Sequence, residues 1–219
     1  MDPALSSPRT RVRRLPGKAV AELAVLHAVL DAGLVAHVGI DDGSGQPMVL
    51  PCAYARDGDG LLLHGSTGSR LFRRLADGAP ACVTVTLLDG LVLARSMFES
   101  SMHYRSAMVL GAGSAVAPSD KEAALRALSE HLMPGRWGDA RPPSSRELAQ
   151  TLIITLPMAE WSVKVSDGPP DDDPADLDRP VWAGVLPLRT VAGAPIAAAG
   201  VTPGRPVPDY LPGWTFTGR

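Results

Sequence analysis

Apolar runs of strand length, joined by short turns rich in Gly and Asp, recur along the first half of the chain and restrict the folds that it can adopt. The turns DDGSGQ and RDGDG contain residues that readily supply the positive φ angles of hairpins. Asp89-Gly90 joins two further runs and is a dipeptide typical of a tight hairpin. The predicted strands are 34–40, 47–55, 60–65, 81–88, 91–98, 105–116 and 151–157. Short strands in hairpin order favour an antiparallel β-barrel, a mainly β fold with peripheral helices.

Helical periodicity occurs between and around these strands. Apolar residues recur at helical spacing over 19–31, and a second helix begins at Ser69. The tetrapeptide SDKE, which starts at Ser119, has the spacing of a capping box and predicts a helix that ends at Leu132. A further short helix is predicted over 144–150. The alternating strand–helix order of a doubly wound fold is missing, as are the GxGxxG and Walker A patterns, which argues against a dinucleotide dehydrogenase or an NTPase.

Composition and charge limit the class of protein and its partners. The 219 residues carry a net charge of -2, so the chain as a whole does not predict a nucleic-acid partner. No apolar run reaches the length of a membrane span, and no signal-peptide core follows the basic start, so we expect a cytoplasmic protein without membrane contact. Cys52 and Cys82 lack the spacing of metal ligands, and neither a disulfide framework nor a metal site is expected.

The chain divides by composition into three parts. Residues 1–18 are rich in Pro and Arg and are expected to form a basic N-terminal arm. Residues 19–168 contain the strand runs and are expected to form the barrel domain. Residues 169–219 begin with a Pro- and Asp-rich segment and are expected to form a C-terminal extension that packs on the barrel or on a dimer partner.

The stretch LHGSTGSR ends a predicted strand in a turn with little side-chain bulk. Its hydroxyl groups belong to Ser66, Thr67 and Ser69. Gly65 and Gly68 would let the backbone approach an anion, and Arg70 can donate to two phosphate oxygens at once. The first N–H groups of the following helix would add favourable hydrogen bonds. By composition alone, an ordinary Ser-capped helix after a Gly-rich turn, with Arg70, Arg73 and Arg74 in solvent, is slightly favoured.

Six motifs together resemble one protein family. They are LHGSTGSR, VTVTLLDGLVLARSMF, SMHYRSAMVLG, MPGRW, GPPDDD and VWAGVLPL. Their order over residues 9–210 is similar to that of the flavin-nucleotide-binding branch of the pyridoxamine 5'-phosphate oxidase-like family, which includes nitroimidazole-resistance-like proteins. The resemblance implies a six-stranded antiparallel split barrel that forms a homodimer. It also implies that FMN binds in two symmetric clefts at the dimer interface, where a small-molecule substrate would meet it.

The resemblance also implies which residues contact the cofactor. Ser66, Ser69 and Arg70 match the loop expected to hold the FMN phosphate. The full set of residues expected at the cofactor is His64, Gly65, Ser66, Thr67, Ser69, Arg70, Arg95, Ser96, Tyr104, Arg105, Ser106, Lys164 and Trp182. Cations near the pyrimidine end of a flavin stabilise its reduced anion, and the candidates for this role are Arg95, Arg105 and Lys164.

Three positions depart from the family pattern as the resemblance presents it. Glu99-Ser100 stands where a His pair is expected, and His103 stands where Asn is usual. Val165 is followed by Ser166, where the family usually has Arg. All three lie in or near the expected flavin cleft, so they bear on the substrate and on cofactor affinity more than on the fold.

His64 directly precedes the phosphate loop and is the candidate catalytic residue, because an imidazole can exchange protons near neutral pH. The alternative is a half-buried strand histidine that bonds to a backbone carbonyl.

Two functions follow from the resemblance. One is an FMN-dependent oxidoreductase that acts on a small planar substrate, such as a nitroaromatic or a pyridoxal-like compound. The other is a carrier or sensor that binds flavin, haem or deazaflavin without turnover.

Overall fold

The computed structural model describes residues 7–211, which form one antiparallel β-sheet with a few helices around it. The strands in this part of the chain are β1 (Ala19–Val20), β2 (Val35–Asp41), β3 (Pro47–Asp57), β4 (Gly60–Ser66), β5 (Pro80–Leu93), β6 (Ser101–Ala112), β7 (Ser114–Ala115), β8 (Thr151–Pro157), β9 (Glu160–Ser166) and β10 (Gly184–Pro187). The helices are α1 (Leu23–Ala32), α2 (Arg70–Ala76), α3 (Lys121–Leu132) and α4 (Ser145–Gln150), with short 3-10 helices at Pro16–Lys18 and Pro174–Asp176. None of these helices has the length and hydropathy of a membrane span.

The strands follow the order β1-β9-β6-β5-β2-β3-β4-β8-β7, and their pairings are antiparallel. One edge of β5 has two neighbours, since β2 pairs with Ala81–Thr84 and β10 pairs with Gly90–Leu93. The other edge pairs with β6 over almost its whole length. The predicted mainly β, antiparallel fold with peripheral helices is confirmed. The sheet has ten strands within residues 7–211, whereas the family resemblance implied six.

The hairpin predicted at Asp89-Gly90 is wrong. β5 runs straight through this dipeptide, which produces only a register shift against β6. Asp89 accepts two hydrogen bonds of 2.8 Å from the guanidinium of Arg105 on β6, and its backbone oxygen accepts one from Leu188 N–H. A Cβ on Gly90 would lie 3.1 Å from the backbone oxygen of Leu186, so the glycine allows β10 to approach closely. Strand partners on both edges therefore override the local turn preference.

Two predicted helix starts are also wrong. Residues 19–20 pair with β9 as a strand, so α1 begins later, at Leu23. The N-cap of α3 is Asp120, and the hydroxyl of Ser119 bonds to that carboxylate instead of capping the helix. A capping box does occur at α4, where Ser144 and Glu147 bond reciprocally to each other's backbone N–H groups. Strand β9, which lies one short turn after β8, was not predicted from the sequence.

The main core lies between α1 and one face of the sheet. Leu26 and Val29 of α1 are fully buried there, and the buried Tyr54 hydroxyl of β3 donates a hydrogen bond to the backbone oxygen of Leu30. Along β5, β6 and β9, core side chains alternate with side chains on the opposite side, which we call the outer face. The outer-face residues of these strands are Cys82, Thr84, Thr86, Ser106, Met108, Leu110, Glu160, Ser162 and Lys164.

Candidate functional site

The loop between β4 and α2 carries the predicted phosphate-binding residues. Its turn is closed by hydrogen bonds from Gly68 N–H to Ser66 Oγ (3.1 Å) and from Ser69 N–H to Ser66 O (2.9 Å). Ser69 is the N-cap of α2, but its side chain makes no capping hydrogen bond. Within the described part of the chain, the hydroxyls of Thr67 and Ser69 have no hydrogen-bond partner. The loop therefore has an ordered backbone and uncommitted hydroxyl groups.

Gly65 has a packing role in this loop. A Cβ at Gly65 would lie 2.3 Å from the ring of Phe72, a side chain of α2 that is only 5% exposed. A Cβ at Gly68 would meet nothing closer than the Ser66 hydroxyl at 3.6 Å. Close contact between β4 and α2 thus explains Gly65 without an anion, and its contact with a cofactor stays a prediction.

Arg70, the first residue of α2, is only weakly engaged by its neighbours. Its guanidinium lies 3.6 Å from the Asp42 carboxylate and 3.4 Å from the Met48 sulfur, and 61% of the side chain is exposed. Hydrogen bonds from Ser44 hold the pKa of Asp42 below its usual value, so this carboxylate stays charged beside Arg70. The long distances leave most of the guanidinium donors available to a ligand.

A cavity of about 630 Å³ lies near Arg70. Met48 connects the two, since it contacts the guanidinium and also lines the cavity. One cross-strand row contributes Val49, Gly39, Cys82 and Leu110 to its lining. Gly39 adds no side chain to this row, and the other three residues are apolar or weakly polar. A site of this size lies within the range that small organic ligands occupy. Sequence reasoning missed this cavity, since its residues come from four strands and form no motif.

Two of the three predicted flavin-facing cations are bound to carboxylates of this chain. Arg95 bonds to the nearly buried Asp172 through its backbone N–H and its Nη1 (2.6 Å each). Arg105 forms the paired hydrogen bonds to Asp89 described above, which raise its pKa further. Lys164 differs, since its ammonium lies 5.9 Å from the centre of the Tyr104 ring, within reach of a cation–π interaction.

The remaining predicted residues lie on β6 and in the segments that flank β5 and β10. Ser106 pairs with Thr86 on β5 and with Lys164 on β9, which places it on the outer face. Ser96 closes the turn after β5 by accepting the Glu99 N–H at 3.1 Å. Trp182 is 68% exposed, and its ring lies against Gly184 at the start of β10.

The predicted site residues form two groups rather than one. The His64–Arg70 group belongs to β4 and α2, whereas the other group belongs to β5, β6, β9 and β10. In the sheet, β2 and β3 separate β4 from β5. A single chain therefore does not place the two groups on neighbouring strands.

His64 is half-buried near the end of β4. Its Nδ1 is buried without a hydrogen-bond partner among the described residues, so the expected alternative of a carbonyl-bonded strand histidine is not seen at this atom. Burial lowers the pKa of the imidazole, which keeps it neutral at physiological pH. No group of three potential metal ligands occurs within residues 7–211.

An open antiparallel sheet with α1 packed on its core face and a polar loop at the end of β4 defines this chain as a split-barrel protein. Residues 22–165 match the family model described as pyridoxamine 5'-phosphate oxidase, and the chain belongs to that family. A comparison with curated proteins gives no significant match.

Two solved structures resemble the chain over nearly its full length. The FAD and haem binding protein from Mycobacterium smegmatis is 43% identical, covers 92% of this chain and 98% of its own, and has a TM-score of 0.87. The flavocytochrome Anf3 from Azotobacter vinelandii is 38% identical, covers 97% and 99%, and has a TM-score of 0.90. A candidate 5-nitroimidazole antibiotic resistance protein from Bacteroides thetaiotaomicron is 22% identical over 67% and 86% of the two chains, with a TM-score of 0.58, and shares the fold.

Proposed function

We propose that this protein binds a flavin nucleotide through the Ser66–Arg70 loop and acts as a flavin-dependent oxidoreductase on a small planar substrate. The observation that carries the proposal is the loop itself. It presents hydroxyls without partners among the described residues and a largely exposed guanidinium, and Arg70 contacts Met48, which lines a ligand-sized cavity. These donors suit a phosphate, because charge-assisted hydrogen bonds to phosphate oxygens are strong and Arg can make two in parallel. The two relatives that are 38% or more identical are described as an FAD and haem binding protein and as a flavocytochrome, which supports a flavin.

FMN is the simplest flavin that meets this description. The phosphate that follows the ribityl chain is present in both FMN and FAD, so the loop would recognise the common part of the two molecules. A bound flavin would supply the electron-transfer chemistry, while the protein supplies binding and orientation. His64, kept neutral by burial, would accept or return a proton beside the loop. Lys164, without a carboxylate partner among the described residues, is the cation that remains available to a reduced flavin.

A homodimer with flavin at the interface is part of this proposal. The two groups of site residues lie on strands that are separated in the sheet. In a two-fold dimer, the His64–Arg70 group of one chain would lie beside the second group of its partner. Met97 and Phe98 are each 89% exposed, and Trp182 is also largely exposed, so apolar surface lies beside the second group. Light scattering at micromolar concentration with flavin added tests this, and a monomer would contradict it.

Flavin titration of the apo-protein tests the loop. Arg70→Ala should weaken FMN binding by about ten- to a hundredfold, because one charge-assisted contact contributes about 1.5–3 kcal/mol. Arg73→Ala is the matched control, since Arg73 is an exposed arginine of the same helix. Unchanged affinity in Arg70→Ala would reduce the loop to a helix cap. A wild-type protein that binds neither FMN nor FAD would refute the whole proposal.

Reoxidation of the pre-reduced protein tests turnover. We expect a nitroaromatic or quinone to oxidise the bound flavin faster than free reduced flavin, and His64→Ala to slow this step while flavin stays bound. A bound flavin that reacts no faster than free flavin with each acceptor would favour a carrier or sensor.

A second candidate function is haem binding in addition to flavin. The two relatives described as an FAD and haem binding protein and as a flavocytochrome favour it, and the neutral imidazole of His64 is a candidate axial ligand. The absorption spectrum of the protein after addition of haem tests this. A Soret band shift that disappears in His64→Ala, with unchanged flavin affinity, would support His64 as a ligand; no shift in the wild type would exclude haem.

A further inference from the structure

Residues 7–18, the described part of the basic N-terminal arm, form a strap across the outer face of the sheet. Near its start, Ser7 Oγ donates a 2.6 Å hydrogen bond to the Glu160 carboxylate of β9, and Arg9 forms an ion pair with the same carboxylate. At its end, Lys18 Nζ donates a 2.9 Å hydrogen bond to Ser166 Oγ, and β1 pairs with β9. Residues 9–14, which we call the basic strap, are thus held between two attachments to β9.

A cavity of about 480 Å³ lies between the basic strap and the outer face. Its floor is rich in hydroxyl groups that come from three neighbouring strands. The polar side chains of the floor are Thr84, Thr86, Ser106, Ser162 and Lys164. Hydroxyl side chains on the outer face, where solvent or a ligand meets them, can donate hydrogen bonds to a bound group.

The charge of this cavity is strongly positive. Arg9, Arg11, Arg13 and Arg14 of the strap line it together with Lys164. Only Arg9 has a carboxylate partner within residues 7–211, and no Asp or Glu is among the lining residues. Four of the lining cations therefore have no carboxylate partner in the described part of the chain. Solvent screens the repulsion between the exposed Arg11, Arg13 and Arg14, and a bound anion would reduce it further.

The backbone at the end of the strap is strained. Leu15 has φ of 54°, a left-handed conformation that a branched residue adopts only at a cost. This residue turns the chain from the strap into the 3-10 helix that precedes β1. The strained turn at Leu15 therefore follows the segment whose arginines lie over the hydroxyl groups of the outer face.

We propose that this cavity binds the diphosphate group of a nucleotide. A diphosphate carries several negative charges over two adjacent phosphates, which matches several arginines better than a single phosphate does. Arg can bind phosphate oxygens in pairs, and the hydroxyls of the floor can donate to the remaining oxygens. The volume leaves room for the attached nucleoside. The cavity lies outside the Ser66–Arg70 loop, and the proposal rests on the proposed flavin function, because Ser106 and Lys164 also belong to the residues expected at the flavin and Arg9 lines both cavities.

Calorimetric titration of the FMN-treated protein with ADP and with AMP tests the proposal. We expect ADP to bind at least about tenfold more tightly than AMP, and Arg11→Ala/Arg13→Ala to remove about tenfold or more of the ADP affinity. Arg126→Ala/Arg146→Ala is the matched control, because it removes the same charge from exposed positions on α3 and α4. Circular dichroism checks that both double variants are folded. FMN affinity should be unchanged in both, and failure of FMN to bind the wild type would count only against the flavin loop.

The source of the diphosphate is distinguished by comparing FMN with FAD. If the site serves a dinucleotide flavin, FAD binds more tightly than FMN and Arg11→Ala/Arg13→Ala removes the difference. If it serves a separate nucleotide, such as a nicotinamide dinucleotide, FMN and FAD bind alike and ADP still binds the FMN-loaded protein. Equal affinity for ADP and AMP, or ADP binding that the double variant leaves unchanged, would overturn the proposal.

Discussion

Gly65→Ala tests whether the glycine before the phosphate loop serves the fold. The new methyl group would lie 2.3 and 2.4 Å from two atoms of the Phe72 ring, whereas ordinary contacts begin near 3.4 Å. The ring or the start of α2 must therefore move by about 1 Å, and Phe72 lies in the core together with Leu71 and Leu75. Overpacking of this kind costs about 1–3 kcal/mol. For a chain of this size each kcal/mol lowers Tm by about 2–4 °C, so we expect a decrease of about 2–12 °C.

Thermal unfolding of Gly65→Ala and of Gly68→Ala gives the comparison. Gly68 is two residues away in the same loop, but its added methyl group would have space. Gly65→Ala/Phe72→Leu should recover part of the loss, because the two positions are in contact and their effects are not additive. The reasoning is refuted if Gly65→Ala is as stable as the wild type, or if Gly68→Ala loses as much stability as Gly65→Ala.

Two further predictions concern buried polar groups. Tyr54→Phe removes the hydrogen bond to the Leu30 carbonyl and leaves that oxygen unpaired, so we expect a loss of about 1–3 kcal/mol in the free energy of unfolding, measured by urea denaturation; no loss would mean that water replaces the hydroxyl. Burial lowers the pKa of His64 in the folded protein, so as pH falls through the unfolded pKa the unfolded chain binds a proton that the folded protein does not. The free energy of unfolding should therefore decrease from pH 7.5 to pH 5. His64→Gln should flatten this dependence and the exposed His37→Gln should not, and equal profiles for the two variants would contradict the role of burial.

The sequence predicts the fold well wherever local pattern and tertiary structure agree. The strands around the DDGSGQ and RDGDG turns form as expected, because each turn joins neighbours in the sheet. Asp89-Gly90 has an equally strong turn signal, yet β6 and β10 hold it within a strand. β10 comes about ninety residues later in the chain, so no local pattern could show that the dipeptide would be paired on both edges.

The candidate site was predictable as a set of residue types but not as an arrangement. Motif LHGSTGSR does form a polar loop before a helix, with Arg70 available. The pairing of Arg95 with Asp172 spans 77 positions, and nothing in either motif indicates that the cation is already neutralised. The basic strap was recognised only as an Arg-rich arm, because its meaning depends on the hydroxyls of β5, β6 and β9 that it covers. Cross-strand rows of this kind become visible only once the register is known.

The pairing of β10 with β5 affects how far the chain can be shortened. Gly90–Leu93 lie beyond the end of β2, and among residues 7–211 it is β10 that pairs with the backbone groups on that edge. A chain that stops at Ser166 would leave this edge open beside exposed Leu91 and Leu93, and a free edge with apolar side chains is a template for strand addition between molecules. The C-terminal extension thus covers an edge of the sheet through β10, and its removal should promote aggregation.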